Sequence, residues 1–399
     1  MNVGEMLKMM RDPLGAPFYP PALQVLLVVT WVLHIFFVTL ALGSSLYAIW
    51  GFLRPTDYRL RLARVAARLT PNAVGLGIVT GIAPLLFVQT IYDPIWYASN
   101  SLTGFWSVSF IFVVMGGYSL AYLFYLKGSP DGKLLWSAVA SFILLFFAGW
   151  IMHVLAAVSI RPERWMEWYA PNGIIDTRGI IFHAWNIPRL VFLLPLQACL
   201  SLAVTLTLFG WYFRRSEEDA PFIQWVANLG RKLGLVISPI YALAGLLWAM
   251  TEGVEFGIGW QVGITLVGIG VALTGYFFWL RQPIRHAPRT LLVWIGTLVV
   301  VGMVREAIRV VSLARFGYSV ATYPYAFDWG SIIVFTVTTI VGVAVLAYLI
   351  MVMYQSGGVK RDAQISPRVE RLGTIATGML GAWFGFFLLV GLYATFLLR

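Results

Sequence analysis

The sequence predicts an all-α polytopic membrane protein with about ten transmembrane helices and both termini on the outer, periplasmic side. Hydrophobic residues make up 60% of the 399-residue chain and charged residues only 11%, whereas about a quarter of a soluble domain is charged. The mean hydropathy of +0.81 agrees with this composition. Ten separate apolar stretches are long enough to cross a bilayer, and basic residues gather in every second loop between them. A soluble enzyme and a disordered or fibrous chain are therefore excluded.

Each of the ten stretches provides the roughly 20 mainly apolar residues that a transmembrane helix needs. Short segments with Pro, Gly or charge separate them, such as Arg54-Pro55-Thr56-Asp57. The predicted spans are 21–53, 71–92, 103–126, 134–158, 181–213, 233–250, 259–281, 290–311, 329–354 and 372–397. Because no long hydrophilic segment exists, we predict an outer N-terminal segment, 1–20, followed by a single transmembrane helical domain, 21–399. The first span lacks a small-residue cleavage site and is expected to be retained.

The distribution of Lys and Arg gives the orientation. Of the 28 basic residues, 18 lie in one set of loops, seven lie in the opposite loops and termini, and three lie inside spans. The basic set comprises 54–70, 127–133, 214–232, 282–289 and 355–371, together with Arg281 at the edge of its span. Since cytoplasmic loops carry the excess of basic residues, these loops are predicted to face inward and both termini outward. The net charge of +11 thus reflects topology in a lipid bilayer and does not predict a nucleic-acid partner.

The four histidines and the single cysteine limit the metal chemistry. Cys199 alone can form neither an internal disulfide nor a Cys-based metal site. His34 lies in the middle of the first span, where an imidazole needs a hydrogen-bond partner or a metal. His153, near the outer end of the fourth span, and His183, at the start of the fifth, could reach interfacial water. At matching depth on antiparallel helices they could also bind one haem iron from both sides. His286 is expected to be a solvated loop residue.

Besides the histidines, three arginines and one glutamate lie inside predicted spans, where such residues are usually paired or functional. They are Arg189, Arg305, Glu306 and Arg309. Glu306 and Arg309 are three residues apart and should share a helix face, whereas Arg305 should point elsewhere. One interpretation is a self-neutralising ion pair. The other is a carboxylate ligand or proton acceptor, with arginines that hold an acidic cofactor group such as a haem propionate.

Two further acidic residues, Glu252 and Glu255, lie in the short outer loop 251–258. A solvated loop is the expected structure, and a proton exit or a docking surface for a basic partner is the alternative. The sequence contains no P-loop, dinucleotide-binding or metalloprotease motif and no detectable internal repeat.

Three segments resemble subunit I of cytochrome bd oxidases. The run from His34 to Gly43 is similar to the opening pattern His-x-x-Phe-Val-x-Leu-x-Leu-Gly of that family, and Gly77–Gly81 looks like its Gly-Val-x-Thr-Gly stretch. The segment Glu306–Arg309 is similar to its Glu-x-Gly-Arg segment. The resemblance implies that His34 and Glu306 are ligands of two active-site haems and that His183 is a ligand of a low-spin haem b.

The chain also departs from the pattern of that family. The stretch after Gly81 lacks the acidic residue and the polar segment that follow there, and the long quinol loop is reduced to Thr251–Ile258. No methionine ligand is present in the matching stretch Gly259–Val262, so His153 is the expected substitute. These departures favour a divergent subunit that transfers electrons over a working oxidase.

The resemblance therefore implies a haem-bearing, multi-pass subunit of a respiratory electron-transfer complex in the cytoplasmic (inner) membrane. One to three haems b are expected, with haem d as a possible variant. Four residues are expected to be haem-iron ligands, namely His34, His153, His183 and Glu306. Three arginines are expected around haem propionates, namely Arg189, Arg305 and Arg309. Glu306 and Arg309 are also expected to take part in the chemistry. The implied partners are a second membrane subunit similar to bd subunit II, a c-type cytochrome and quinol.

Two alternatives remain open from the sequence. The first is an active oxygen reductase with a proton route through Glu252 or Glu255. The second is a transporter or structural membrane subunit without haem, in which the intramembrane charges form ion pairs or a proton path.

Overall fold

The structure, a computed structural model, describes residues 2–129, 132–213, 219–356 and 366–396. Within these ranges the chain is helical and contains no strand apart from an isolated bridge between Ala16 and Tyr325. Ten helices in the described part of the chain are long and apolar enough to cross a membrane, which confirms the predicted all-α polytopic fold, while the side of the termini stays a prediction. The helices are α1 (Val3–Met9), α2 (Pro20–Leu53), α3 (Asp57–Ile91), α4 (Asp93–Leu102), α5 (Gly104–Leu123), α6 (Leu135–Ser159), α7 (Trp165–Tyr169), α8 (Ile187–Val191), α9 (Gln197–Tyr212), α10 (Ala220–Trp248), α11 (Gly259–Trp279), α12 (Pro283–Ala314), α13 (Trp329–Ser356) and α14 (Pro367–Phe396). A π-helical turn, Phe192–Leu196, joins α8 to α9 in one span.

Several helices extend beyond the apolar stretches that predict them. α3 begins at Asp57 instead of residue 71, α10 at Ala220 instead of 233, and α12 at Pro283 instead of 290. These extra turns are polar and basic, so a search for apolar residues cannot include them. At the start of α3, the hydroxyl of Thr56 accepts a hydrogen bond from the backbone N–H of Arg59, which caps the helix at 3.4 Å.

The predicted start of the fifth span at residue 181 is wrong. The helix begins at Ile187, and the preceding residues 174–186 have no helical structure. Asn186 sets the boundary because its side-chain oxygen accepts a hydrogen bond from the backbone N–H of Arg189 at 2.9 Å. Pro188 follows in the first turn, where its missing N–H needs no partner.

The centre of the bundle is formed by α2, α9, α10 and α12. Their shared core contains large buried side chains, among them Trp31, Tyr241, Trp248 and Trp294. The last two spans, α13 and α14, are different, because only 6% of the residues in each apolar window are buried. These two helices therefore leave most of their apolar surface for lipid or for another membrane chain.

A cap covers the bundle end where α2 begins. α1 buries Leu7 completely, and the segment after it pairs with residues 324–328, where the backbone N–H of Ala16 donates to the carbonyl of Pro324 at 2.8 Å. We refer to this end as the predicted outer end, since the charge distribution assigns it to the outer side. Some of the charges used for that assignment, Arg214, Arg215, Lys360, Arg361 and Arg399, lie outside the described residues, as does the end of the last predicted span.

Candidate functional site

The Glu306 cluster lies near the predicted outer end and consists of Gln24, Tyr92, Glu306 and Arg309. The hydroxyl of Tyr92 and the side-chain amide of Gln24 both donate to Oε1 of Glu306, at 2.5 and 2.8 Å. The guanidinium of Arg309 donates to Oε2 at 2.6 Å. The predicted Glu306–Arg309 pair on one helix face is thus confirmed. Its two side chains are only 9% and 7% exposed, so the pair is buried and both carboxylate oxygens are engaged.

Arg305 points away from this cluster, as its position on α12 predicts. Its guanidinium lies over the ring of Trp31, 4.9 Å from the ring centre, which is a cation–π arrangement. Among the described residues no carboxylate lies within ion-pair distance of Arg305. This half-buried cation thus has an aromatic neighbour in place of a counter-ion within the part of the chain that the structure describes.

A second buried group, the Glu252 cluster, consists of Arg161, Arg189, Trp248, Glu252 and Glu255. Glu252 is fully buried and accepts hydrogen bonds from Arg189 and from the indole of Trp248, both at 2.8 Å. Arg161 lies 3.5 Å from Glu252 and binds both carboxylate oxygens of Glu255 at 2.7 and 2.6 Å. Burial alone would lower the pKa of Arg161, but the hydrogen bonds and charges of the two glutamates outweigh burial and raise it.

The expectation of a solvated loop is wrong for Glu252. A π-helical turn, Ala249–Gly253, continues α10 by one turn and carries Glu252 inside the bundle. Insertions of this kind occur often at functional sites. Glu255, beyond the turn, remains 38% exposed and reaches the surface.

A small gap separates the two clusters. Its lining includes Arg189, Glu252, Arg305 and Arg309. Its volume of about 10 Å³ is close to the minimum that holds one water molecule. Arg189 is 5% exposed, and its Nε has no hydrogen-bond partner among the described residues. Three guanidinium groups and one carboxylate thus surround a polar gap with an excess of positive charge.

His34 lies one helical turn from Trp31 on α2 and faces α3. Its Nδ1 is 2.8 Å from the backbone carbonyl of Gly77, so the ring donates its Nδ1 proton there. Nε2 has no hydrogen-bond partner among the described residues. Gly81 leaves room for the ring, because a Cβ at that position would lie 2.9 Å from two ring atoms. Gly81 thus allows the imidazole to lie against the backbone of α3.

The structure does not place His153 and His183 in equivalent positions. His153 is buried, and its Nε2 accepts a hydrogen bond from the backbone N–H of Asn186 at 3.0 Å. His183 is exposed in the non-helical segment before α8, where its ring meets the edge of Trp168 at 5.8 Å between ring centres. The prediction that both are opposed ligands of one iron remains a prediction.

The expected haem ligands fit an iron to different degrees. A histidine that binds a metal normally donates its other ring N–H to a carbonyl or carboxylate, and His34 has this arrangement. Glu306 does not fit, because hydrogen bonds and an ion pair already engage both of its oxygens. His153 would first have to release Asn186 from Nε2. Among the described residues, no three His, Cys, Asp or Glu side chains come together as a metal site.

Several residues of the site were not identified from the sequence. Gln24, Tyr92 and Trp248 complete the two buried clusters, and Asn186 links His153 to the start of α8. Gln24 could have been noticed as a polar residue early in the first span. Tyr92 and Trp248 carry no such signal, because aromatic residues are common at membrane interfaces.

Comparisons with known proteins show what this fold resembles. No protein-family model and no curated protein sequence matches the chain. Among solved structures, a chain of the bd oxidase from Geobacillus thermodenitrificans superposes with a TM-score of 0.61 at 16% sequence identity. The match covers 86% of this chain and 99% of the other. At this identity the likeness establishes the fold, which is that of a membrane-embedded bd oxidase chain.

Proposed function

We propose that this chain is a haem-bearing subunit of a respiratory electron-transfer complex in the cytoplasmic membrane. The observation that carries the proposal is His34, whose Nδ1 proton is held by the Gly77 carbonyl and whose Nε2, without a hydrogen-bond partner among the described residues, could bind iron. The bd oxidase fold supports the same class of complex.

The cationic gap supports a haem close to His34. Arg305 lies over the ring of Trp31, which precedes His34 by one helical turn on α2. The gap is far smaller than a cofactor pocket of about 300–1,000 Å³. The gap holds about one water molecule and not a propionate, so the assignment of Arg305, with Arg189 and Arg309, to the haem propionates rests on their positive charge.

A haem bound at His34 would supply one-electron chemistry. The role of the chain is to hold it. Gly77 fixes the orientation of the imidazole, and the arginines neutralise the propionates. Glu306 and Arg309 are proposed to take part through proton exchange at the Glu306 carboxylate, and not through ligation of iron.

A second haem at His183 is part of the proposal, because this ring is exposed and lies beside Trp168. The haems are proposed to be of the b type. Electrons would pass between them and quinol or a c-type cytochrome. The partner within the membrane would be a second subunit, for which the largely exposed α13 and α14 provide surface.

The experiment compares reduced-minus-oxidised absorbance spectra of the purified wild type, His34→Ala and His286→Ala. His286 is a matched control because it lies at the opposite, basic end of the bundle. We expect a haem spectrum in the wild type that loses a component in His34→Ala and is unchanged in His286→Ala. A wild type without haem absorbance would reject the proposal and favour the transporter alternative.

A further inference from the structure

The predicted inner end of the bundle, opposite the predicted outer end, carries the first turns of α3, which are rich in arginine. The guanidinium of Arg59 lies over the ring of Trp50, 4.8 Å from its centre. Arg64 and Arg68 follow, one helical turn apart, and both are exposed. Among the described residues no carboxylate lies within ion-pair distance of Arg68. Two cations thus face outward on one side of α3, just before its apolar stretch.

The same face of α3 continues into exposed residues of the span. Asn72, Leu76 and Val79 follow at intervals of three or four residues, and Val79 is 66% exposed. At a rise of 1.5 Å per residue, Val79 lies about 16 Å along the helix from Arg68. This distance is about half of the hydrocarbon core, which is roughly 30 Å thick, and so equals the depth of one leaflet. The face therefore joins two cations to an apolar stripe as long as one acyl chain.

Two tyrosines of α5 lie beside this face of α3. A Cβ at Gly75 would lie 3.0 Å from the hydroxyl of Tyr118, so α5 meets α3 closely there. Gly75 is about three helical turns beyond Arg64 and therefore lies on the same side of α3 as the arginines. The ring of Tyr122 packs edge-on against Tyr118, with 5.0 Å between ring centres, one turn nearer the inner end. The arginines and the tyrosines thus lie along one groove between α3 and α5.

We propose that this groove binds an anionic phospholipid of the inner leaflet. The lipid phosphate contacts Arg64 and Arg68, and one acyl chain lies along the stripe that ends at Val79. Guanidinium groups bind phosphate oxygens through paired N–H donors, and tyrosine is common where headgroups meet the hydrocarbon region. Anionic lipids are concentrated in the cytoplasmic leaflet, which the charge distribution assigns to this end. The site shares no residue with the proposed function and does not depend on it.

The chemistry of the groove favours a lipid over a second membrane chain. Helix–helix contacts inside a membrane are usually built on small residues, whereas the exposed face presents Arg68, Leu76 and Val79. Exposed guanidinium groups that are followed along one face by large apolar side chains complement a molecule with a charged head and an apolar tail.

The first test measures lipid binding to the purified full-length chain by native mass spectrometry, with any copurifying subunit left in place. The probes are phosphatidylglycerol, which is anionic, and phosphatidylcholine, which has the same phosphate but no net charge. We expect one phosphatidylglycerol to bind about tenfold or more tightly than phosphatidylcholine, because two arginines attract it. This preference should fall as the salt concentration rises. Equal affinities for the two lipids would overturn the proposal.

The double variant Arg64→Gln/Arg68→Gln should lose the preference for phosphatidylglycerol. Its matched control is Arg285→Gln/Arg289→Gln, which removes two exposed arginines at the same spacing from α12 at the same end of the bundle. The control should keep the preference, since it leaves the groove between α3 and α5 intact. Equal losses in the two double variants would show a general attraction to the basic end and would overturn the proposed site.

A milder variant decides the question where the double variant fails to fold. Arg68→Lys keeps the charge but removes the planar set of donors, so the preference should fall only in part. An unchanged preference would contradict the proposed phosphate contact.

Glycerophosphoglycerol, the headgroup without acyl chains, distinguishes a lipid site from a site for phosphate alone. At equal concentration it should not displace bound phosphatidylglycerol, because it cannot contact the apolar stripe. Displacement would overturn the lipid as the occupant, and so would phosphatidylglycerol binding that begins only after a copurifying subunit is removed. Haem does not enter these measurements, so a protein without haem would reject the proposed function while the lipid site is still decided.

Discussion

Glu252→Gln tests whether the Glu252 cluster holds the predicted outer end together. The substitution keeps the shape of the side chain but removes the charge that neutralises Arg189. Glu252 is 0% and Arg189 only 6% exposed in their side chains, so water cannot screen the unpaired guanidinium that remains. Loss of one partner of a buried ion pair costs about 3–5 kcal/mol. Since about 1.4 kcal/mol corresponds to a factor of ten, the unfolding equilibrium should shift by roughly two to three and a half orders of magnitude.

The assay is reversible unfolding in mixed detergent micelles, monitored by tryptophan fluorescence. Asp176→Asn is the matched control, because it breaks an ion pair with an exposed arginine, which should leave the stability nearly unchanged. The double variant Glu252→Gln/Arg189→Met should recover much of the loss, since the uncompensated charge is then absent. A Glu252→Gln variant as stable as the control, or a double variant as unstable as the sum of both changes, would refute the reasoning.

Two glycine substitutions test close contacts, with Gly268→Ala as a control because a Cβ there would meet nothing within 4 Å. Gly81→Ala should push the ring of His34 off its hydrogen bond and weaken haem retention, measured as the haem-to-protein absorbance ratio; full retention would contradict this. Gly4→Ala places a Cβ against the carbonyl oxygen of Phe316, so the N-terminal segment should detach and become sensitive to protease at the predicted outer end. Equal protease resistance in Gly4→Ala and the control would show that this contact does not hold the segment. The control itself should be unchanged or slightly more stable, because Ala is favoured over Gly in helices.

The ten spans and the Glu306–Arg309 pair follow from the sequence because both depend on local spacing. Long apolar stretches leave a membrane helix as the main way to satisfy the backbone, and residues three apart share a helix face. The partners of Glu306 depend instead on how distant helices meet. Gln24 is 282 residues away along the chain, and its contact depends on the relative rotation of α2 and α12.

Glu252 shows a second limit of sequence reasoning. Whether this residue belongs to a loop or to the helix depends on one additional turn, and helix ends are the least certain part of such predictions. His183 shows the same limit. A fifth span that began at residue 181 would place His183 on a helix, but the helix begins only at Ile187. The family-like residues His34 and Gly77 were identified, but the hydrogen bond between them becomes visible only when α2 and α3 are packed together.

A pyridine haemochrome spectrum of the purified wild-type protein, with the protein concentration from amino-acid analysis, tests the central claim most directly. This measurement gives the type of haem and the number of haems per chain together. The proposed function predicts haem b at one or more equivalents per chain. A preparation of folded protein with no haem would contradict it.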